Sequence, residues 1–330
     1  MKKLLAAVCA AMSLSLLAGC APQPAAPGAS GSTAPQAVLQ VGIAQIVAHP
    51  SLDALRDGFK EGMARHGYVE GTNVVYDAKN AAGDQATLTN IATTFKTKDL
   101  IVAIATPTAQ AIAQAVPDKP IFFAGVTDPV GAKLVTSLEK PGGNITGTSD
   151  FPPIALQLQL IRDTLPQART IGLLYSSSET NSEIQASLVK AEAPKLGFEV
   201  KVATVVNANE VAQAATSLGK VDAFFIGTDN TIVSSVEQVV QVAEQGKIPF
   251  FASDPDSVKR GAAAALAVDY KLQGIQTGEM AATMLKAGGK PADVPVQVSD
   301  DPQLSVNPAA AARMGLTFPA SVLASADVTV

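Results

Sequence analysis

The sequence predicts an α/β protein of two similarly built lobes, each formed around a parallel sheet. Three observations predict it. From Val38 onward, short apolar runs alternate with longer amphipathic segments, the pattern of repeated strand–helix units. The apolar runs are unbroken, as strands buried on both faces require. The chain also repeats a plan. Asp99-Leu-Ile-Val-Ala-Ile-Ala-Thr106 leads through a helix to Lys119-Pro-Ile-Phe-Phe-Ala and Asp128-Pro129. About 125 residues later, Asp222-Ala-Phe-Phe-Ile-Gly-Thr228 leads through a helix to Lys247-Ile-Pro-Phe-Phe-Ala and Asp254-Pro255. Two facing α/β lobes leave a cleft between them.

The elements follow in order. VLQVGIA (38–44) is the first strand, and Ser51 to His66 a helix with Gly67 in C-cap position. NVVYDAK (73–79) precedes a helix from Asp84 to Lys96, and DLIVAIA (99–105) one from Pro107 to Ala115. PIFFAG (120–125) and NITGT (144–148) are the next strands. RTIGLLY (169–175), FEVKVAT (198–204), VDAFFIG (221–227), IPFFA (248–252) and AAAALAV (262–268) build the second lobe, with helices between them.

The first twenty residues read as an export signal. Lys2 and Lys3 precede an apolar run from Leu4 to Leu17, too short to span a bilayer and closed by Leu17-Ala18-Gly19-Cys20. That ending resembles a bacterial lipobox, which implies cleavage after residue 19 and a lipid on Cys20, anchoring the protein to the membrane. Residues 21–37 contain only Ala, Pro, Gly, Ser, Thr and Gln and form a linker of roughly 3 Å per residue, about 50 Å in all. Without the leader's two lysines, 22 basic residues face 29 acidic ones, a net charge near −7. No basic patch points to nucleic acid. The two cysteines are Cys9, in the leader, and Cys20, so none is left for a disulfide, a zinc site or a thiol nucleophile. The two histidines form no metal motif, and no cofactor motif occurs.

Small polar residues gather just after the strands. They are Thr106-Pro107, Thr127-Asp128-Pro129, Ser149-Asp150, Ser176 to Glu179, Thr228-Asp229-Asn230 and Ser253-Asp254-Pro255. Singly, each reads as a helix N-cap with Pro at N1, and Ser176-x-x-Glu179 as a capping box. As a set they lie at the carboxyl ends of strands, where open α/β sheets bind ligands. Helix N-termini there suit a carboxylate, and the Asp residues an ammonium group, so the set favours an amino acid. Thr106, Thr108, Ser177 and Ser178 are the candidates for the carboxylate, and Asp150, Asp229 or Asp254 for the ammonium. His49 either lines the cleft or caps the helix that follows it. Ser137-x-x-Lys140 and Ser187-x-x-Lys190 lack the companion motifs of a serine enzyme and read as helix surface. An exported hydrolase would need a nucleophile–base pair that the sequence does not offer; the protein is expected not to be an enzyme.

Several motifs together resemble the ABC-transporter substrate-binding lipoproteins of the tryptophan-binding type. They are Gln45-x-x-x-His49-Pro50-x-Leu52-Asp53, Asn80-Ala81-x-Gly83-Asp84-Gln85, Ile104-Ala105-Thr106-Pro107, Val126-Thr127-Asp128-Pro129-Val130, Lys140-Pro141-Gly142-Gly143-Asn144-x-Thr146-Gly147-Thr148-Ser149-Asp150, Leu174-Tyr175-x-Ser177-Ser178-Glu179-x-Asn181-Ser182 and Thr228-Asp229-Asn230. The resemblance implies a type I periplasmic-binding-protein fold, two Rossmann-like lobes joined by a three-strand hinge. By analogy the chain crosses near Ser149–Phe151, Val268–Tyr270 and Asp293–Pro295. Residues 38–149 plus 270–293 then form lobe 1, and 150–269 plus 294–330 lobe 2. The ligand implied is an aromatic or apolar amino acid, tryptophan or phenylalanine among the candidates. Ile46 stands where the family often has an aromatic residue, so the pocket wall differs there. The implied contacts are Gln45, Ile46, His49, Asn80, Thr106, Pro107, Thr108, Thr127, Asp128, Ser149, Asp150, Phe151, Tyr175, Ser177, Ser178, Asn181, Thr228, Asp229, Asn230, Asp254 and Asp269. The implied partners are an ABC permease and an ATPase, with the chain itself a monomer. The alternative is a sensor or adhesion lipoprotein of the same fold without an uptake role.

Overall fold

The structure, a computed structural model, describes residues 38–330; the expected leader, Cys20 and the linker to residue 37 lie outside the described residues. In chain order the elements begin β1 (Leu39–Gln45), α1 (Pro50–Arg65), β2 (Val74–Asn80), α2 (Gln85–Thr94), β3 (Leu100–Ile104), α3 (Thr106–Ala115), β4 (Ile121–Ala124) and β5 (Ile145–Ser149). Next come α4 (Ile154–Thr164), β6 (Thr170–Ser176), α5 (Thr180–Glu192), β7 (Glu199–Val205), α6 (Val211–Ser217), β8 (Ala223–Phe225) and α7 (Asn230–Val233). α8 (Val236–Gly246), β9 (Phe250–Ala252), α9 (Pro255–Lys259), β10 (Ala264–Ala267) and α10 (Tyr270–Ala287) follow. β11 (Gln297–Val298), β12 (Gln303–Val306), α11 (Pro308–Arg313), α12 (Ala320–Ala324) and β13 (Val328–Thr329) complete the chain.

The strands form two sheets, ordered β11-β5-β4-β3-β1-β2 and β13-β12-β10-β9-β8-β6-β7. The order β2-β1-β3-β4-β5 in one is matched by β7-β6-β8-β9-β10 in the other, so the sequence repeat is a repeat of topology. This is the type I periplasmic-binding-protein architecture. Pairing is parallel throughout both sheets except where β12 runs antiparallel to β10. β12 returns by a short turnless crossing from the first sheet, which leaves no room for the helix that a parallel addition needs.

Three chain crossings join the halves: β5 to α4, β10 to α10 and β11 to β12. The third lies after Val298 rather than near Asp293–Pro295, because Gln297 and Val298 pair with Thr148 and Ser149 at the first sheet's edge. Gln297 and Val298 are both exposed and belong to no apolar run, so this strand leaves no mark in the amino-acid pattern.

Each sheet has its own core. All five residues of β3 are buried, whereas the edge strands β2 and β7 mix buried and exposed positions. Phe122-Phe123, Phe224-Phe225 and Phe250-Phe251 are fully buried. Neighbouring residues of a strand point to opposite faces, so each pair fills both layers around its sheet. Helix α10 packs into the first core through Tyr270, Met280, Ala281 and Met284. Its backbone touches α1 directly: a Cβ on Gly58 would lie 2.4 Å from the Lys271 carbonyl oxygen, and one on Gly274 2.3 Å from that of Leu55. Gly62 and Gly278 repeat the contact one turn on. Only glycine allows this approach, which fixes the start of α10, with Tyr270, beside the start of α1.

Candidate functional site

The carboxyl ends of the central strands of both sheets meet around an interlobe cavity. His49, Ser51, Leu52, Ala105, Thr106, Gly125 and Thr127 line it from the first lobe, and Asn181, Thr228, Asp229, Asn230, Val233 and Asp254 from the second. Asp150 and Tyr270, at two of the crossings, line it from the hinge. The lobes are closed on each other. Thr127 Oγ1 and Thr228 Oγ1 are 3.2 Å apart. The Ser51 hydroxyl lies 3.2 Å from Asp254 Oδ1 and 3.0 Å from Asp256 Oδ2. Gln110 Nε2 donates to Thr180 Oγ1 at 3.3 Å.

The first-lobe wall is built around the start of α3. β3 turns into this helix within one residue, Ala105, whose φ of 72° is left-handed and strained for an alanine. No side chain caps the helix. Thr106 and Thr108 are buried, and among the described residues neither hydroxyl oxygen has a hydrogen-bond partner. A helix start carries unpaired N–H groups and a partial positive charge, and burying it without a partner is costly. An anion such as a carboxylate satisfies both.

At the hinge, Asp150 Oδ2 accepts a hydrogen bond from the Tyr270 hydroxyl at 3.1 Å. Its Oδ1 is buried and, among the described residues, unpaired. Burial pushes the Asp150 carboxyl above the ordinary range. Among the described residues that line the cavity there are three aspartates and no Lys or Arg. Such a site draws in a cationic group.

The second-lobe carboxyls are occupied. Glu179 accepts from Asn230 Nδ2 at 2.6 Å, Thr231 N at 2.8 Å and Thr231 Oγ1 at 2.7 Å. Asp229 accepts from the backbone of Ser176 and Ile232 and from the Ser182 hydroxyl. Burial, then the neighbouring Glu179, pushes its carboxyl up to about 7. Asp254 caps α9 through Ser257 N at 2.8 Å and also accepts from the hydroxyls of Ser257 and Ser51. Asn181 is split: its Nδ2 donates to the Thr228 carbonyl at 2.8 Å, while its Oδ1 is unpaired among the described residues.

His49 occupies the N-cap position of α1 but makes no capping bond. It lines the cavity, and neither ring nitrogen has a partner among the described residues. Burial pushes its pKa down, so the imidazole is neutral.

The family model for ABC transporter substrate binding protein matches residues 40–330. The chain belongs to this family. A tyrosine-binding protein of Clostridioides difficile (strain R20291) is 41% identical over 312 residues, covering 93% of this chain and 90% of that protein. The crystal structure of an ABC domain in complex with L-Trp from Streptococcus pneumoniae matches with a TM-score of 0.85 at 40% identity, covering 89% of this chain and 100% of that one. The ligand-free, open structure of a substrate-binding protein with adhesive properties from Clostridium difficile matches at the same 40% identity, over 89% and 99% of the two chains, with a TM-score of 0.67. At equal identity the poorer match is to the open form, in line with the hydrogen bonds that hold these lobes together. This substrate-binding protein is a solute binder, not an enzyme.

Of the residues expected at its site, His49, Thr106, Thr127, Asp150, Asn181, Thr228, Asp229, Asn230 and Asp254 converge on the cavity. Pro107 and Thr108 are buried in the first turn of α3, behind Thr106. The others lie elsewhere for identifiable reasons. Gln45 is bonded to Asp53 and Arg56, and Ile46 is packed in the first core. Asn80 and Asp128 close turns onto Ala82 N and Gly131 N. The Ser149 hydroxyl donates to the Thr127 carbonyl. Tyr175 belongs to the second core. Ser177 and Ser178 are exposed and bond back to Val205 and Val206, and neither lines the cavity. The capping box at Ser176 is absent, since Glu179 is itself the N-cap position and reaches α7 instead. Phe151 lines an outer groove, and Asp269 caps α10 at the surface. Sequence reasoning missed Ser51, Leu52, Ala105, Gly125, Val233 and Tyr270. Tyr270 carried a signal: it is the last residue of the second expected crossing, Val268–Tyr270, beside the cleft. Among the described residues no cluster of His, Cys, Asp or Glu is arranged to hold a metal ion.

Proposed function

We propose that this protein is the extracytoplasmic solute-binding lipoprotein of an ABC importer for an aromatic L-amino acid, tyrosine or tryptophan. The observation that carries the reading is the pairing of two vacant partners in one closed cavity: the uncapped start of α3 with Thr106, and the free oxygen of Asp150. The first suits the ligand carboxylate and the second its ammonium group. Thr127, Thr228 and Asn181 close over the bound molecule from both lobes, and Leu52 and Val233 give its side chain apolar contact. The ligands named for the Clostridioides and Streptococcus relatives support the choice of an aromatic side chain over an aliphatic one. A lipid on Cys20 and the linker to residue 37 hold the domain near a permease and its ATPase, as a monomer. Residues 38–149 with 270–298 form the lobe that receives the ligand, and residues 150–269 with 299–330 the lobe that closes.

The test is thermal unfolding of the mature chain after co-purified ligand has been stripped by unfolding and refolding. Tyrosine or tryptophan at a hundredfold excess over its Kd should add about 2.7 kcal/mol of stability. Absence of a shift with all twenty amino acids overturns the ligand. Release of a C20S variant from the membrane fraction tests the anchor. A second reading, surface adhesion, is favoured by the adhesive properties ascribed to the Clostridium difficile relative. Loss of amino-acid uptake on deletion of this protein, with cell adherence intact, decides for import.

A further inference from the structure

We infer that His49 reads a polar hydrogen on the ligand's ring, so that the site takes tyrosine and tryptophan in preference to phenylalanine. The inference rests on the proposed amino-acid reading and extends it to the far end of the ligand. A neutral imidazole offers one N–H donor and one acceptor. Here both are buried without a partner among the described residues. Buried polar groups in folded proteins are paired, and leaving one unpaired is unfavourable. The neighbouring polar groups can supply at most one of the two bonds. The Ser51 hydroxyl is directed at Asp254 and Asp256, Asp254 is filled by Ser257 and Ser51, and the Asn230 amide nitrogen donates to Glu179, which leaves only the Asn230 side-chain carbonyl oxygen to take the ring N–H. The other ring nitrogen is an acceptor left for a donor on the ligand.

The position of His49 identifies which part of the ligand. Along the sheet edge, His49 follows β1, Thr106 follows β3, Thr127 follows β4 and Asp150 follows β5. β1 and β5 are three strand spacings apart, about 14 Å. That distance is comparable to an extended aromatic amino acid with a hydrogen bond at each end. With the ammonium group on Asp150 and the carboxylate at Thr106, His49 meets the end of the side chain. Leu52 and Val233 line the cavity as apolar surface for the ring. The charges that act on His49 come chiefly from Asp254, Arg260 and Glu179, not from Asp150, which agrees with this separation. A phenol hydroxyl can both donate and accept, and an indole N–H can donate, whereas a phenyl ring leaves the acceptor nitrogen unpaired.

Calorimetry on the stripped mature chain with L-tyrosine, L-tryptophan and L-phenylalanine tests the inference. Phenylalanine should bind about 10-fold or more weakly than tyrosine. H49F, which keeps a planar ring and removes both nitrogens, should bring the two within about threefold, and H49Q, which keeps a donor and an acceptor, should retain discrimination. Should H49F fold poorly, H49L reads the same ratio. Equal binding of tyrosine and phenylalanine to the unaltered protein, or an unchanged ratio in H49F or H49L, overturns the role of His49. Binding of none of the three overturns the proposed function itself, a result distinct from equal binding of all three.

Discussion

Two helix starts occupy matching places in the two lobes and are treated in opposite ways. After β8, the start of α7 is filled by the protein's own carboxylates, Asp229 on Ile232 N and Glu179 on Thr231 N. After β3, the start of α3 is buried and has no side-chain cap. Glu179 thus shows in one lobe what the other lacks, an anion seated on a helix N-terminus. The contrast extends to the aspartates. Asp229 and Asp254 accept hydrogen bonds at both carboxylate oxygens, Asp254 partly from Ser51 of the first lobe, whereas Asp150 keeps one oxygen free among the described residues. The first lobe and hinge are therefore prepared to receive a zwitterion, while the carboxylates of the second lobe are already satisfied.

Substitutions can break or sharpen this contrast. D150N should weaken ligand binding by about 100-fold or more, the cost of removing one member of a buried charge pair. It should not destabilise the empty protein. Burial raises the Asp150 carboxyl above its unfolded value, so the charged form costs stability once the pH exceeds that unfolded value, and the amide removes the cost. Calorimetry and a thermal melt read the two effects separately. E179A should do the reverse, lowering the stability of the empty protein by about 3 kcal/mol because it strips a buried network of its acceptor. Denaturant unfolding checks this.

The second lobe should also show a pH signature. Asp229 binds its proton more tightly folded, with a pKa of about 7, than unfolded, so stability should fall as pH rises from about 4 towards 7. D229N should flatten that fall. The smallest effect belongs to T106V. It should cost about tenfold in affinity by deleting one hydroxyl donor to the ligand carboxylate, with little change in the melting temperature of the empty protein.

The repeat was legible because its strands carry the same apolar runs in the same order, and these alone determine which strands pair centrally. The place of the site was legible too, since Thr106, Thr127 and Thr228 each stand within three residues of a strand's carboxyl end. What separates Asp150 from Asp229 and Asp254 was not. All three stand in similar short polar segments, and the difference lies in partners distant along the chain, such as Ser176 for Asp229 and Tyr270 for Asp150. Ser177 and Ser178 misled for the same reason. A serine after a strand has the composition of a ligand contact whether its hydroxyl faces the cleft or, as here, bonds back to the edge strand β7 and the residue after it.

The most direct test is a crystal structure of the complex with L-tyrosine or L-tryptophan. The account predicts the ammonium nitrogen within about 3 Å of Asp150 Oδ1, with the carboxylate on the first turn of α3 beside Thr106. An ammonium group seated on Asp229 or Asp254, with the start of α3 left empty, would contradict it.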